Sequence, residues 1–113
     1  MNKSFLVKYM HLANNVMSGD LPVLSTPSLL GFMENTCLEF MRDSLNNNKT
    51  SVGVKVDLKH LNPNIEGAII DCKILNIDKK ENKWIFEVEA VSNNIIVGKC
   101  VHTRYIVDRN TFL

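Results

Sequence analysis

Three polar side chains stand in otherwise apolar surroundings along this chain, each of a type that does nucleophilic or proton-transfer chemistry: Thr26, Glu34 and His60. Glu34 lies beside an apolar helical stripe, with Leu30, Leu38 and Met41 around it at helical spacing. A carboxylate there loses part of its hydration, the environment that a general base or a nucleophilic carboxylate needs. His60 closes the buried set of an alternating strand just before a turn, where side chains meet the rim of a sheet. Thr26 precedes a proline at a helix start, where a hydroxyl lies beside free backbone N–H groups able to hold an oxyanion. Each also has an ordinary alternative: an exposed flank glutamate, a satisfied core histidine and a plain helix cap.

The elements that must carry these residues follow from periodicity. Ser4 to Leu12 predicts a first strand, and Asn14 to Pro22, with Ser18, Gly19 and Asp20, a loop. Ser25-Thr26-Pro27 predicts a helix start with Thr26 as N-cap and Pro27 at the first helical position, where its fixed φ fits. Leu30, Met33, Cys37, Phe40, Met41 and Leu45 recur at three- and four-residue steps as one stripe, which Asn46-Asn47-Asn48 ends. From Thr50 to Leu61, Val52, Val54, Val56 and Leu58 alternate with Gly53, Lys55, Asp57 and Lys59, the pattern of a half-buried strand. Ala68 to Ile77, Trp84 to Val91 and Ile95 to Val107 follow as strands, separated by Asp78 to Asn82 and Ser92-Asn93-Asn94. One helix between a first strand and four more antiparallel strands is an α+β pattern in which a sheet wraps the helix. The lysines of the strand after the helix suit an edge that pairs with a twofold copy, so a homodimer is expected.

Thr26 and Glu34 are eight residues apart, about 12 Å of helical rise, so they cannot touch within one regular helix. The favoured arrangement is a composite site, with Thr26 of one subunit facing Glu34 or His60 of the other. Arg104, two residues after His102, stands with Lys99, Arg109, Lys55 and Lys59 as a candidate to meet a nucleotide phosphate at a cleft rim. Met17, at the centre of the early loop, is a candidate lid.

Composition excludes several classes. A chain of 113 residues with 45% hydrophobic and 22% charged residues is one globular domain, 1–113. A formal charge of +1 gives no field to hold a nucleic-acid backbone. Cys37, Cys72 and Cys100 are odd in number and lack C-x-x-C spacing, so buried thiols in a reducing cytoplasm are expected, without disulfides or zinc. Met1 to Met10 lacks the apolar core of a signal peptide, and no run reaches the length of a membrane span. Glycine-rich phosphate loops, H-E-x-x-H and G-x-S-x-G are missing, and with them the usual marks of phosphoryl transfer, zinc proteolysis and α/β-hydrolase chemistry.

Four stretches in register resemble a known family: G-D-L-P-V-L-S-T-P-S-L-L-G-F-M-E (Gly19 to Glu34), T-S-V-G-V-K-V-D-L-K-H-L-N-P (Thr50 to Pro63), E-G-A (Glu66 to Ala68) and H-T-R-Y-I-V-D-R (His102 to Arg109). Together they resemble the fluoroacetyl-CoA thioesterase-like branch of the hotdog thioesterases, from about Gly19 to Phe112. The resemblance implies a hotdog fold, one long helix wrapped by a five-stranded antiparallel sheet, in a dimer that hydrolyses an acyl-CoA. It places the family's threonine, glutamate and histidine on Thr26, Glu34 and His60, its T-x-V-G glycine on Gly53 and its late-strand arginine on Arg104. In the mechanism that follows, His60 and Glu34 activate water or the Thr26 hydroxyl for attack on the thioester. Backbone N–H groups, that of Gly53 among them, receive the oxyanion. The loop before the helix is short of aromatics, so a fluoroacetyl preference does not follow. No metal or organic cofactor is implied, and no nucleic acid or membrane partner. A non-catalytic acyl-CoA-binding or sensing module is the alternative, and a higher oligomer built on the dimer is left open.

Overall fold

The computed structural model describes Met1–Leu113 as β1 (Asn2–Leu6), a 3-10 turn (Tyr9–His11), α1 (Thr26–Arg42), β2 (Lys49–His60), β3 (Ile69–Lys80), β4 (Lys83–Ser92) and β5 (Ile95–Asp108). The strands form one antiparallel sheet in the order β1-β3-β4-β5-β2, curled around α1. This is the expected α+β hotdog architecture.

Side-chain alternation explains the curl. Trp84, Phe86, Val88, Ala90 and Ser92 of β4 all turn inward, and α1 lays Leu29, Phe32, Met33, Cys37 and Met41 onto them. Phe40 and Phe86 meet edge to face, with ring centroids 6.3 Å apart. Asn93 and Asn94 make the β4–β5 turn at φ of 50° and 64°, the paired positive values that a two-residue hairpin of matching twist demands and asparagine tolerates. All three cysteines are buried free thiols, and burial pushes each up to about 12.

Several boundaries differ from the sequence expectation. β1 ends at Leu6 and the chain then turns through Tyr9–His11; Leu12 makes only a bridge to Leu24. α1 stops at Arg42 with Asp43 as its C-cap, short of Leu45. Its buried stripe starts one residue earlier than predicted, on Leu29 and Phe32, and takes in Thr36, whose hydroxyl donates to the Phe32 carbonyl at 2.9 Å. That local bond lets a polar residue join the apolar face.

The most consequential difference is in β2. Its pairing with β5 slips between Gly53 and Lys55, leaving Val54 as the extra residue of a bulge, 53% exposed. The inward set is therefore Ser51 and Gly53 before the bulge and Val56, Leu58 and His60 after it. Unbroken alternation would have turned Gly53 outward. As expected, β2 is an edge strand. No helix is long and apolar enough to cross a membrane.

Candidate functional site

The start of α1 builds the first part of the site. Ser25, not Thr26, is the N-cap: its hydroxyl accepts from Ser28 N–H at 3.1 Å, and Thr26 and Pro27 occupy the first helical positions. Relieved of capping, the Thr26 hydroxyl reaches the end of β2, where Oγ1 lies 2.8 Å from Nδ1 of His60. Burial lowers the pKa of His60, with the Asn62 backbone working the other way. A neutral imidazole facing a hydroxyl is a general base in position. The strand pair beneath is tight. His60 stands opposite Gly98, where a Cβ would come 2.7 Å from the Lys59 carbonyl oxygen and 3.0 Å from Leu29 Cδ2. Only glycine allows β2 and α1 to close that far.

Glu34 lies two turns further along α1, at the mouth of an open cleft of about 290 Å³ lined by Glu34, Gly53, Val54, Lys55, Val56 and His102. The bulge turns Gly53 to this place, and a Cβ on it would stand 3.0 Å from Glu34 Oε2, 3.0 Å from His102 Cε1 and 3.4 Å from Arg104 Nη1. Behind them one charged group is buried. Arg104 is 6% exposed; its Nε donates to Ser51 Oγ at 2.8 Å, its Nη2 to the Ser51 carbonyl at 3.0 Å and its Nη1 to His102 Nε2 at 3.1 Å. His102 Nδ1 donates in turn to the Lys55 carbonyl at 3.0 Å. Burial lowers the pKa of His102; the Lys55 carbonyl opposes this, Arg104 adds to it and Glu34 opposes it. Its 3.9 Å approach to Glu34 is accordingly a neutral contact and not an ion pair.

One chain thus brings Thr26 to His60 and, separately, Glu34 to Gly53. The composite arrangement set Thr26 of one subunit against Glu34 or His60 of the other; for His60 this is corrected, because the Thr26 hydroxyl pairs with His60 of its own chain. Arg104 does not stand at a rim: it is buried, and each of its three nitrogens is bonded within the chain. Met17 is 93% exposed at a φ of 60° and covers nothing in the single chain. Of the other cations only Lys55 lines the cleft. Lys59 and Lys99 line a different depression with Asp57 and Glu87, and Arg109 lies with Arg42 and Lys49 beyond the C-terminal end of α1. No three His, Cys, Asp or Glu side chains are grouped to hold a metal ion.

Sequence reasoning missed Ser51, Gly98 and His102 as site residues. His102 had a usable signal, since it alternates in phase with Cys100 and Arg104 on β5 and is thereby marked as inward-facing. Ser51 had none, because the bulge that turns it inward leaves no mark in the alternation of β2.

This helix-in-sheet arrangement is the hotdog fold, and the family match over most of the chain makes it a thioester hydrolase. Residues 7–110 match the model of the family described as FlK, fluoroacetyl-CoA-specific thioesterase, and the chain belongs to that family. Among solved structures, it is similar to a variant of the fluoroacetyl-CoA-specific thioesterase FlK in complex with fluoroacetate and CoA. That pair is 18% identical with a TM-score of 0.91, over 99% of this chain and 92% of the other. It is also similar to a hot-dog-like protein from Thermanaerovibrio acidaminovorans, 20% identical with a TM-score of 0.85 over 97% and 82% of the two chains. A thioesterase superfamily member from Thermus thermophilus is 17% identical with a TM-score of 0.86, over 96% and 81%. No curated protein matches the chain in sequence.

Proposed function

We propose that this protein hydrolyses a small or short acyl-CoA to the free acid and coenzyme A, at sites completed across a homodimer. The 2.8 Å contact between the Thr26 hydroxyl and a neutral His60 carries the reading, since it sets a nucleophile or water-positioning hydroxyl against its base at a helix N-terminus. Glu34, open to the cleft, is the second base. A water oxygen bonds to the thioester carbon as Glu34 takes its proton. The oxyanion is met by backbone N–H groups at Gly53 and the first turn of α1, and the C–S bond then breaks with the proton passing to sulfur.

The dimer supplies what one chain separates. A twofold axis at Asp57 would pair Val56 with Leu58 of the partner subunit along the exposed edge of β2. The bulge at Val54 absorbs one residue, so His60 would face Gly53 of the partner subunit, with inward residues opposite inward residues on both strands. Each Thr26–His60 pair then completes a site with Glu34 of the partner subunit.

Purified protein given a panel of short acyl-CoAs is expected to release free thiol, and Glu34→Ala or His60→Ala to abolish release. Binding without release would favour a sensing module instead. Mixing the inactive variants Thr26→Val and Glu34→Gln should restore about one quarter of wild-type activity, because half the dimers are mixed and each holds one intact composite site. No recovery after subunit exchange would rule out the shared site. Rapid quench that traps an acyl group on Thr26 would establish a covalent route; normal turnover without an adduct would establish that Thr26 positions water.

A further inference from the structure

His102 is 1% exposed, and both of its ring nitrogens have partners of fixed character. Nδ1 faces the Lys55 carbonyl at 3.0 Å, which can only accept, and Nε2 faces Arg104 Nη1 at 3.1 Å, which can only donate. A single form satisfies both: the neutral ring with its proton on Nδ1. A doubly protonated ring would set N–H against N–H and bury two adjacent cations.

The same bonds decide where Arg104 can go. Nε and Nη2 are held by Ser51 and Nη1 by His102, and none of these bonds goes to Glu34, whose Oε2 lies 3.9 Å from His102 Nε2. An arginine and a carboxylate free to meet form a two-pronged pair that occupies both carboxylate oxygens. Here the imidazole takes one N–H of Nη1, the nitrogen that lies with Glu34 Oε2 around Gly53, and with Ser51 fixes the guanidinium in place. The field of the cation reaches the carboxylate while its oxygens remain open to the cleft.

The geometry points to His102 as a positioning residue: a neutral acceptor that keeps Arg104 from pairing with Glu34, so that the carboxylate is free to take a proton from water. This rests on Glu34 acting as the base in the function proposed above. Burial, followed by the opposing Lys55 carbonyl and the reinforcing charge of Arg104, leaves the ring with a lowered pKa, in keeping with the neutral form.

Two measurements test it on the intact protein. Long-range 15N–1H spectra of the imidazoles are expected to show His102 neutral and protonated on Nδ1 at neutral pH; a charged ring, or a proton on Nε2, overturns the proposal without reference to turnover. In steady-state assays His102→Leu should lower kcat about 10- to 100-fold, within what general-base catalysis supplies, with KM changed less than about twofold. His102→Gln, whose amide oxygen can accept from Nη1, should recover most of that loss. Equal kcat in the two variants, both shown folded by thermal melting, overturns the positioning role while the thioesterase reading survives. If the wild type turns over no acyl-CoA, that reading fails and this role with it.

Discussion

Gly53→Ala tests how closely Glu34 is held. The added methyl would lie 3.0 Å from Glu34 Oε2 and 3.0 Å from His102 Cε1, where ordinary contacts begin at 3.4 Å, so one neighbour must retreat by at least 0.4 Å. His102 is 1% exposed and bonded at both nitrogens, whereas the Glu34 side chain is 39% exposed at the mouth of a cleft. Glu34 therefore yields. Crowding of this kind costs about 1 kcal/mol at its lower end. Replacing a glycine whose φ is not positive returns about 0.4–1 kcal/mol by restricting the unfolded chain. The two nearly cancel, and Tm should stay within about 3 °C of wild type. Catalysis has no such compensation. A 1 Å misplacement can cost about 100-fold, so a shift near half that should lower kcat about tenfold, or about 1.4 kcal/mol in activation free energy. Thiol release from the preferred acyl-CoA gives kcat, and a melting curve gives Tm. Wild-type kcat in a folded Gly53→Ala protein would refute the reasoning, because Glu34 would then tolerate displacement; a Tm loss beyond about 10 °C would show that the buried ring, and not the carboxylate, had moved.

Gly98→Ala should behave in the opposite way, since its methyl would meet backbone, 2.7 Å from the Lys59 carbonyl oxygen. Overpacking of about 1–3 kcal/mol lowers Tm by roughly 5–15 °C, and an unchanged melting curve would contradict that packing. His60 and His102 both have lowered pKa values, chiefly from burial. Above the unfolded value of about 6.5 their contribution to stability is complete; as pH falls the unfolded chain binds protons first, and the contribution is lost through the folded values. Tm should fall as pH drops below about 6.5, and less so in His102→Gln; identical slopes in the two proteins would exclude His102 as a source. Cys37, Cys72 and Cys100, pushed up to about 12, should resist a thiol reagent in the native protein and react together on unfolding. Rapid labelling of any one in the folded state would show that it is not buried in solution.

Local patterns determined a good deal from the sequence alone. The three- and four-residue steps of α1, the alternation of β4 and the asparagine turn at Asn93-Asn94 depend on near neighbours in the chain, and the architecture followed from them. Thr26, Glu34 and His60 were legible as polar interruptions of those patterns. Which of them would meet was decided only by tertiary structure. Ser25 took the cap and released Thr26 toward His60, a choice between adjacent hydroxyls that depends on where the end of β2 lies. The bulge at Val54 inverted the facing of Ser51 and Gly53, because an extra residue in one strand is defined only against its partner. Arg104 and His102 became a buried pair for the same reason: a side chain's surroundings come from strands distant in sequence, and spacing along one strand gives its direction but not its company.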